Sequence, residues 1–282
     1  MITLDFLKHL DKLSLIIRKR IVSNFIGSRQ SKATGQGLIF KDHRIYAPGD
    51  DYRGIDWRVY GRTDHLYVKK FEEERNLTVH VIIDFSKSMD FGEKIKKSEY
   101  ASMMGIGFAY MALKNNEKFV ISTFSDKLTL FKAKKGRRQL ANIINHLNTK
   151  TPEGKTDLEA SLGRYKKLIN SKSLIVIISD FFYDIEQIRN ALKKLKRNQL
   201  ILIQVLDDVE AKLNIEGEFK LKDLEDRSVL RTFISPFLKR NYMTQLHEHD
   251  TKIKKVCDEI GAKFFIVDSS TPIYDNFYRM LR

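Results

Sequence analysis

Cysteine is all but absent. Cys257 is the only one in 282 residues, so no intrachain disulfide can form and a reducing compartment is the expectation. Proline occurs only four times and breaks few of the apolar segments. No stretch approaches the ~18 consecutive apolar residues that a membrane span needs. The first segment carries Asp5, Lys8, Asp11 and Lys12 within its apolar pattern, which argues against a secretory signal peptide. Together these absences predict a cytoplasmic protein without a transmembrane segment. Also missing are a Gly-x-Ser-x-Gly elbow, a P-loop and a Gly-x-Gly-x-x-Gly fingerprint, so acyl transfer and nucleotide chemistry lack support. Neither zinc-finger spacing nor an aromatic-glycine RNA signature is present.

Positive charge, by contrast, is plentiful: 51 Lys and Arg stand against 36 Asp and Glu, a net charge of +15. It comes in short pieces, at 18–20, 132–138, 193–197 and 252–255, mostly interleaved with apolar helical positions as on solvated helix faces. This distribution counts against a direct nucleic-acid function. An acidic protein partner, or peripheral contact with an anionic membrane, explains the charge equally well.

Hydrophobic residues, 42% of the chain, set the architecture. Phe6, Leu7, Leu10, Leu13, Ile17 and Ile21 recur at near-helical spacing and predict an amphipathic helix over 2–22, packed on its own domain or lying on a membrane surface. Residues 27–65 are rich in glycine and polar side chains and read as turns. A strand pattern follows at 66–71. Apolar strands then alternate with helices: strands at 79–83, 119–124 (with 128–131 as a hairpin partner), 174–179, 200–206 and 263–267, and helices at 95–113, 137–147, 157–169, 185–197, 242–260 and 272–281. The expected fold is α/β: a doubly wound, mainly parallel, Rossmann-like sheet with helices on both faces over 78–282, preceded by an N-terminal extension over 1–77. The acidic stretch 208–238 reads as an inserted polar strand pair or loop.

Two apolar strands end in a carboxylate. Asp84 opens Asp84-Phe85-Ser86-Lys87-Ser88, and Asp180 follows Ser179; Thr156 lies between them, just before a predicted helix. In an open α/β sheet, ligands bind beyond the carboxyl ends of the strands, where these residues fall. Few carboxylates and several hydroxyls form a hard-oxygen donor set suited to Mg²⁺, with Mn²⁺ also compatible. A bland reading stays open beside it: Asp84, Thr156 or Asp157 as helix caps, and Ser86 and Ser88 as turn residues. The ordered set resembles the metal-ion-dependent adhesion site of von Willebrand factor A domains. That resemblance implies direct ligation by Ser86, Ser88 and Thr156, water-mediated roles for Asp84 and Asp180, and a vacant position for a partner's Asp or Glu.

Upstream, Pro48-Gly49-Asp50-Asp51, Arg53, Ile55-Asp56-Trp57, Arg62 and the Glu72 to Arg75 run resemble the signature of the bacterial domain of unknown function 58 family, and the likeness continues to Cys257 and Gly261. The resemblance implies an adaptor or co-chaperone role beside a MoxR-type AAA+ ATPase. From the residues alone, Arg53, Arg58 and Arg62 could pair with Asp50, Asp51 and Asp56 as an ion-paired clamp with Trp57 buried; a partner-docking surface is the sharper reading. His247 and His249 are two apart and cannot chelate one ion from a helix face. The function expected is therefore non-enzymatic, metal-dependent protein recognition. A metal-dependent phosphoesterase and a basic nucleic-acid or membrane adaptor are the alternatives.

Overall fold

The computed structural model describes residues 34–35, 39–72, 77–92, 94–215, 217–222 and 229–281, together with Phe6, Leu10 and Asp11. The chain divides into two compact units, Ile16–Asn76 and Met1–Leu15 with Leu77–Arg282. Most of the expected first helix, the run from Glu73 to Arg75, and Glu216, Asp223, Glu225 and Asp226 lie outside the described residues.

The smaller unit contains a three-stranded antiparallel sheet ordered β1 (Thr34–Gly35), β3 (Tyr67–Glu72), β2 (Ile39–Ile45). Helix α1 (Trp57–Thr63) joins β2 to β3; Asp56 caps it by accepting from the Arg58 N–H at 3.1 Å, and Asp64 ends it in the left-handed region at φ 52°. Within the turn-rich stretch 27–65 the structure thus places β1, β2 and α1. Strand β2 runs through Lys41, Asp42, His43 and Arg44, whose polarity hides the alternation that betrays a half-buried strand.

The larger unit is the doubly wound α/β fold expected. Its six-stranded sheet is ordered β11-β8-β7-β4-β5-β6, and every neighbouring pair is parallel except β5 with β6. In chain order the elements are β4 (Thr78–Asp84), α2 (Lys97–Lys114), β5 (Lys118–Phe124), β6 (Leu128–Thr129), α3 (Arg137–Thr149), α4 (Leu158–Lys166), β7 (Leu174–Ser179), α5 (Ile185–Lys193), β8 (Gln199–Leu206), α6 (Asp208–Lys212), the antiparallel pair β9 (Gly217–Lys222) and β10 (Val229–Ile234), α7 (Pro236–Ile260), β11 (Lys263–Asp268) and α8 (Ile273–Leu281).

Residues of β4, β7 and β8 are buried on both faces, which explains their unbroken apolar runs. Ile82, Ile175, Ile177 and Leu202 pack with side chains of α4, α5 and α7, among them Leu162, Ile188 and Ile253. Helix α2 lies on β4 and touches α3 and α8. Cys257 is fully buried in α7, and burial pushes its thiol up to about 12, as suits a core residue. Helix α7 begins at Pro236 rather than near 242: Ser235 accepts from the Leu238 N–H at 3.2 Å and proline takes the first turn, where no amide bond is lost. Phe6 and Leu10 are buried, and Asp11 accepts from the Tyr110 hydroxyl at 2.5 Å and pairs with Lys114 at 2.6 Å. Among the described residues no helix is long and apolar enough to cross a membrane.

Candidate metal centre

From β4 the chain winds outward to β5 on one side and later returns to β7 on the other, so the crevice beyond β4 and β7 is the switch point of the sheet. Ile83 pairs with Ile178, which sets Asp84 beside Ser179 at the strand ends. The Ser179 hydroxyl donates to Asp84 Oδ2 at 2.7 Å, and the Tyr183 hydroxyl donates to the same oxygen. The other oxygen, Oδ1, accepts from the Ser86 N–H at 2.8 Å and from Thr156 Oγ1 at 3.3 Å. Ser86 Oγ and Ser88 Oγ lie 3.1 Å apart. Asp84, Ser86, Ser88 and Thr156 are therefore gathered into one bonded cluster drawn from two loops. Asp84 and Ser86 are fully buried, whereas Ser88 and Thr156 are half-exposed.

Backbone bonds hold these loops together. Phe85 N–H donates to Phe124 O at 2.7 Å, Glu153 N–H to Phe85 O at 2.9 Å, and Lys87 N–H to Gly154 O at 3.1 Å. Gly154 has φ +80°, a conformation that strains any other residue, and a Cβ there would sit 2.6 Å from Oδ1 of exposed Asp126, whose side chain would have to move. Capping of α4 falls to Asp157, which accepts from the Ala160 N–H at 2.9 Å, leaving Thr156 for the cluster.

Asp180 is 2% exposed and one residue beyond Ser179, yet its hydrogen bond runs elsewhere: Lys97 Nζ donates to Asp180 Oδ2 at 3.0 Å and to Glu210 Oε1 at 2.7 Å. Lys97 is fully buried at the start of α2. Burial alone would lower its pKa, but Asp180 and Glu210 outweigh it and hold the ammonium above its ordinary value. Among the described residues no cation pairs with Asp84. Burial first, then the charge of Asp180, pushes its carboxyl up to about 6 against the hydrogen bonds of Tyr183, Ser179 and the Ser86 amide. The Tyr183 phenol is raised well above its usual value by burial and by Asp84. A buried carboxylate short of positive charge, ringed by hydroxyl oxygens, fits a hard divalent cation. Among the described residues no group of three or more His, Cys, Asp or Glu side chains is placed to hold a metal ion, so the donors on offer here are mainly hydroxyl oxygens.

The turn after Asp180 is strained. Phe181, fully buried, holds φ 55°, a conformation bulky residues avoid. It drives its ring into the core and returns the chain so that Tyr183 meets Asp84. His249 Nε2 donates to Phe181 O at 2.9 Å. Lys97, Tyr183 and Glu210 are not singled out by the sequence, Ser179 enters there only as the residue before Asp180, and His249 only as a chelating partner for His247; Tyr183, three residues after Asp180, carries a local signal.

The upstream motif differs from expectation. Asp50 takes both guanidinium nitrogens of Arg44 at 2.6 Å and the Ala47 N–H at 2.9 Å. Asp51 accepts from the Arg53 N–H at 3.0 Å. Asp56 accepts from His43 Nε2 at 3.0 Å and pairs with Lys69 at 3.4 Å; the His43 bond is the largest cause of its low pKa of about 2. Arg53, Arg58 and Arg62 pair with no carboxylate among the described residues, and Trp57 is 62% exposed. Ion pairs therefore do form around this motif within the smaller unit, but with other cations, because β2 and β3 bring Arg44, His43 and Lys69 to Asp50 and Asp56. The expected burial of Trp57 is overturned: α1 turns that face to water.

The model of the family described as "Protein of unknown function DUF58" matches residues 42–252. The chain belongs to the DUF58 family. The uncharacterized protein Rv1480 of Mycobacterium tuberculosis is 25% identical over 255 residues, covering 89% of this chain and 80% of the relative. Among solved structures, the SpRpn10 VWA domain is similar at 10% identity and TM-score 0.44, covering 73% of this chain and 95% of that one. The conserved hypothetical protein BatB from Bacteroides thetaiotaomicron is similar at 14% identity and TM-score 0.40, covering 72% and 98%.

Proposed function

We propose that this DUF58 protein is a non-enzymatic, cytoplasmic protein-recognition module. Asp84, Ser86, Ser88, Thr156 and Asp180 would hold Mg²⁺ or Mn²⁺, and an acidic side chain of a partner protein would complete the site. The observation that carries this reading is the bonded cluster of Asp84 with Ser86, Ser88 and Thr156 at the switch point of the sheet, built around a buried carboxylate that pairs with no cation among the described residues. When bound, the metal would supply an electrophilic position for a carboxylate oxygen.

The chain's own residues prepare that position. Ser179, Tyr183 and the Ser86 amide fix the rotamer of Asp84, while Lys97 pins Asp180. Half-exposed Ser88 and Thr156 form the mouth through which a partner would reach the cluster. The phosphoesterase alternative gains little from the geometry: His249, the histidine bonded beside Asp180, spends its Nε2 proton on Phe181 O. The family resemblance makes a MoxR-type AAA+ ATPase the first partner to try. Immobilised protein should retain a purified MoxR-type ATPase in Mg²⁺ and release it in EDTA, and Ser86→Ala/Ser88→Ala should lose the Mg²⁺-dependent part. Retention that ignores both EDTA and the double substitution would sink metal-bridged recognition.

A further inference from the structure

The smaller unit carries a surface with no evident use inside this chain. Along α1, Trp57 and Tyr60 stand one turn apart, 62% and 39% exposed, their rings edge to face at 6.1 Å. Arg58 and Arg62, four apart and exposed, form the neighbouring stripe, with Arg62 Nε donating to Arg58 O at 3.3 Å. Just before the helix, the Arg53 guanidinium lies 5.9 Å from the centre of the 64% exposed Tyr52 ring. None of the three arginines pairs with a carboxylate among the described residues, although the same motif holds three aspartates. Asp50 and Asp56 are paired with Arg44, His43 and Lys69; exposed Asp51 accepts only a backbone amide and keeps its charge, so the three arginines outnumber the motif's one aspartate without a cation and the balance left outward is positive.

Gly61 adds an independent observation. It lies inside α1, where glycine costs helix stability, between Trp57 and Arg62 on the helical wheel. A Cβ there would meet nothing within 4 Å, and its φ needs no glycine. Among the described residues nothing requires a glycine there, but a partner backbone approaching Trp57 would. Tryptophan, tyrosine and arginine are also the residues that dominate binding energy at protein interfaces.

We propose that Trp57, Tyr60, Gly61, Arg58, Arg62 and Arg53 form a docking surface for an acidic segment of another protein. The segment lays apolar side chains on the two rings beside Gly61 and carboxylates on the arginines. This goes beyond metal-bridged recognition: it lies on the other unit and needs no metal.

Trp57 is the only tryptophan of the chain, so its fluorescence reads occupancy of this surface directly. The full-length protein, in EDTA, is titrated with a short synthetic peptide alternating Glu and Asp with Leu and Phe. Its lysine counterpart and a DNA duplex serve as comparisons. The acidic peptide should move the emission to the blue, with an affinity that falls as salt rises. Arg58→Glu/Arg62→Glu should weaken binding by about tenfold or more. Gly61→Ala should raise the thermal midpoint, because the helix gains, while weakening the peptide. An unchanged emission, an equal response to the lysine peptide or to DNA, or Gly61→Ala binding like wild type overturns the proposal. Because EDTA is present throughout, neither outcome depends on the metal centre.

Discussion

His80, 6% exposed on β4, bonds the Tyr165 hydroxyl through Nδ1 at 2.9 Å, and burial lowers its pKa to about 4. Its folded pKa lies below the 6.5 of the unfolded chain, so the unfolded state takes up the proton first. The neutral-His stability is complete above pH 6.5 and is lost as pH falls towards 4, a change on the order of 3 kcal/mol at about 1.4 kcal/mol per unit. Denaturant unfolding of wild type and His80→Gln at pH 7, 5 and 4 checks this. The substitution should flatten the acid loss, and an unchanged slope would rule His80 out as its source. Asp84 and Asp180 were legible for a simple reason: each ends an apolar strand, where a charge has no place in the core. Lys97 was not. It sits in a run of lysines at 94, 96 and 97, and the carboxylates that bury it lie 83 and 113 positions away.

At the scale of elements, the site depends on a helix pair brought together by one ammonium. Asp207 caps α6 by accepting from the Val209 N–H at 3.1 Å, and Glu210 closes the capping box through Oε2 on the Asp207 N–H at 3.0 Å. The same carboxylate offers Oε1 to Lys97, so the start of α6 anchors the start of α2 beside Asp180. Lys97→Met strands two buried carboxylates and should cost about 3 kcal/mol or more in EDTA. Saturating Mg²⁺ should recover part of that loss, since a cation near Asp180 restores the missing charge; midpoints in urea with and without Mg²⁺ decide it. An equal loss in both would detach Lys97 from the metal centre. Periodicity found the strands and most helices because both faces of the sheet are buried. It missed β2 and α1, whose sequences are polar and exposed, and it started α7 late although Ser235-Pro236 marks a helix start.

For the whole molecule, the DUF58 chain pairs a doubly wound α/β unit with a small antiparallel unit, and each carries one of the two sites proposed for acidic groups. The net charge of +15 fits such partners without a nucleic-acid role. The sheet order was beyond the sequence, since crossover direction depends on which helix covers which face; the position of the crevice followed only from where the carboxylates fell. The most direct test of the central proposal is calorimetric titration of the folded protein with Mg²⁺ and Mn²⁺, beside Asp84→Asn and Ser86→Ala/Ser88→Ala. Binding near one equivalent in wild type, lost in Asp84→Asn and weakened at least tenfold in the double variant, is predicted. Full binding by folded Asp84→Asn, or none by wild type even with a saturating acidic partner, would contradict a metal centre built on Asp84.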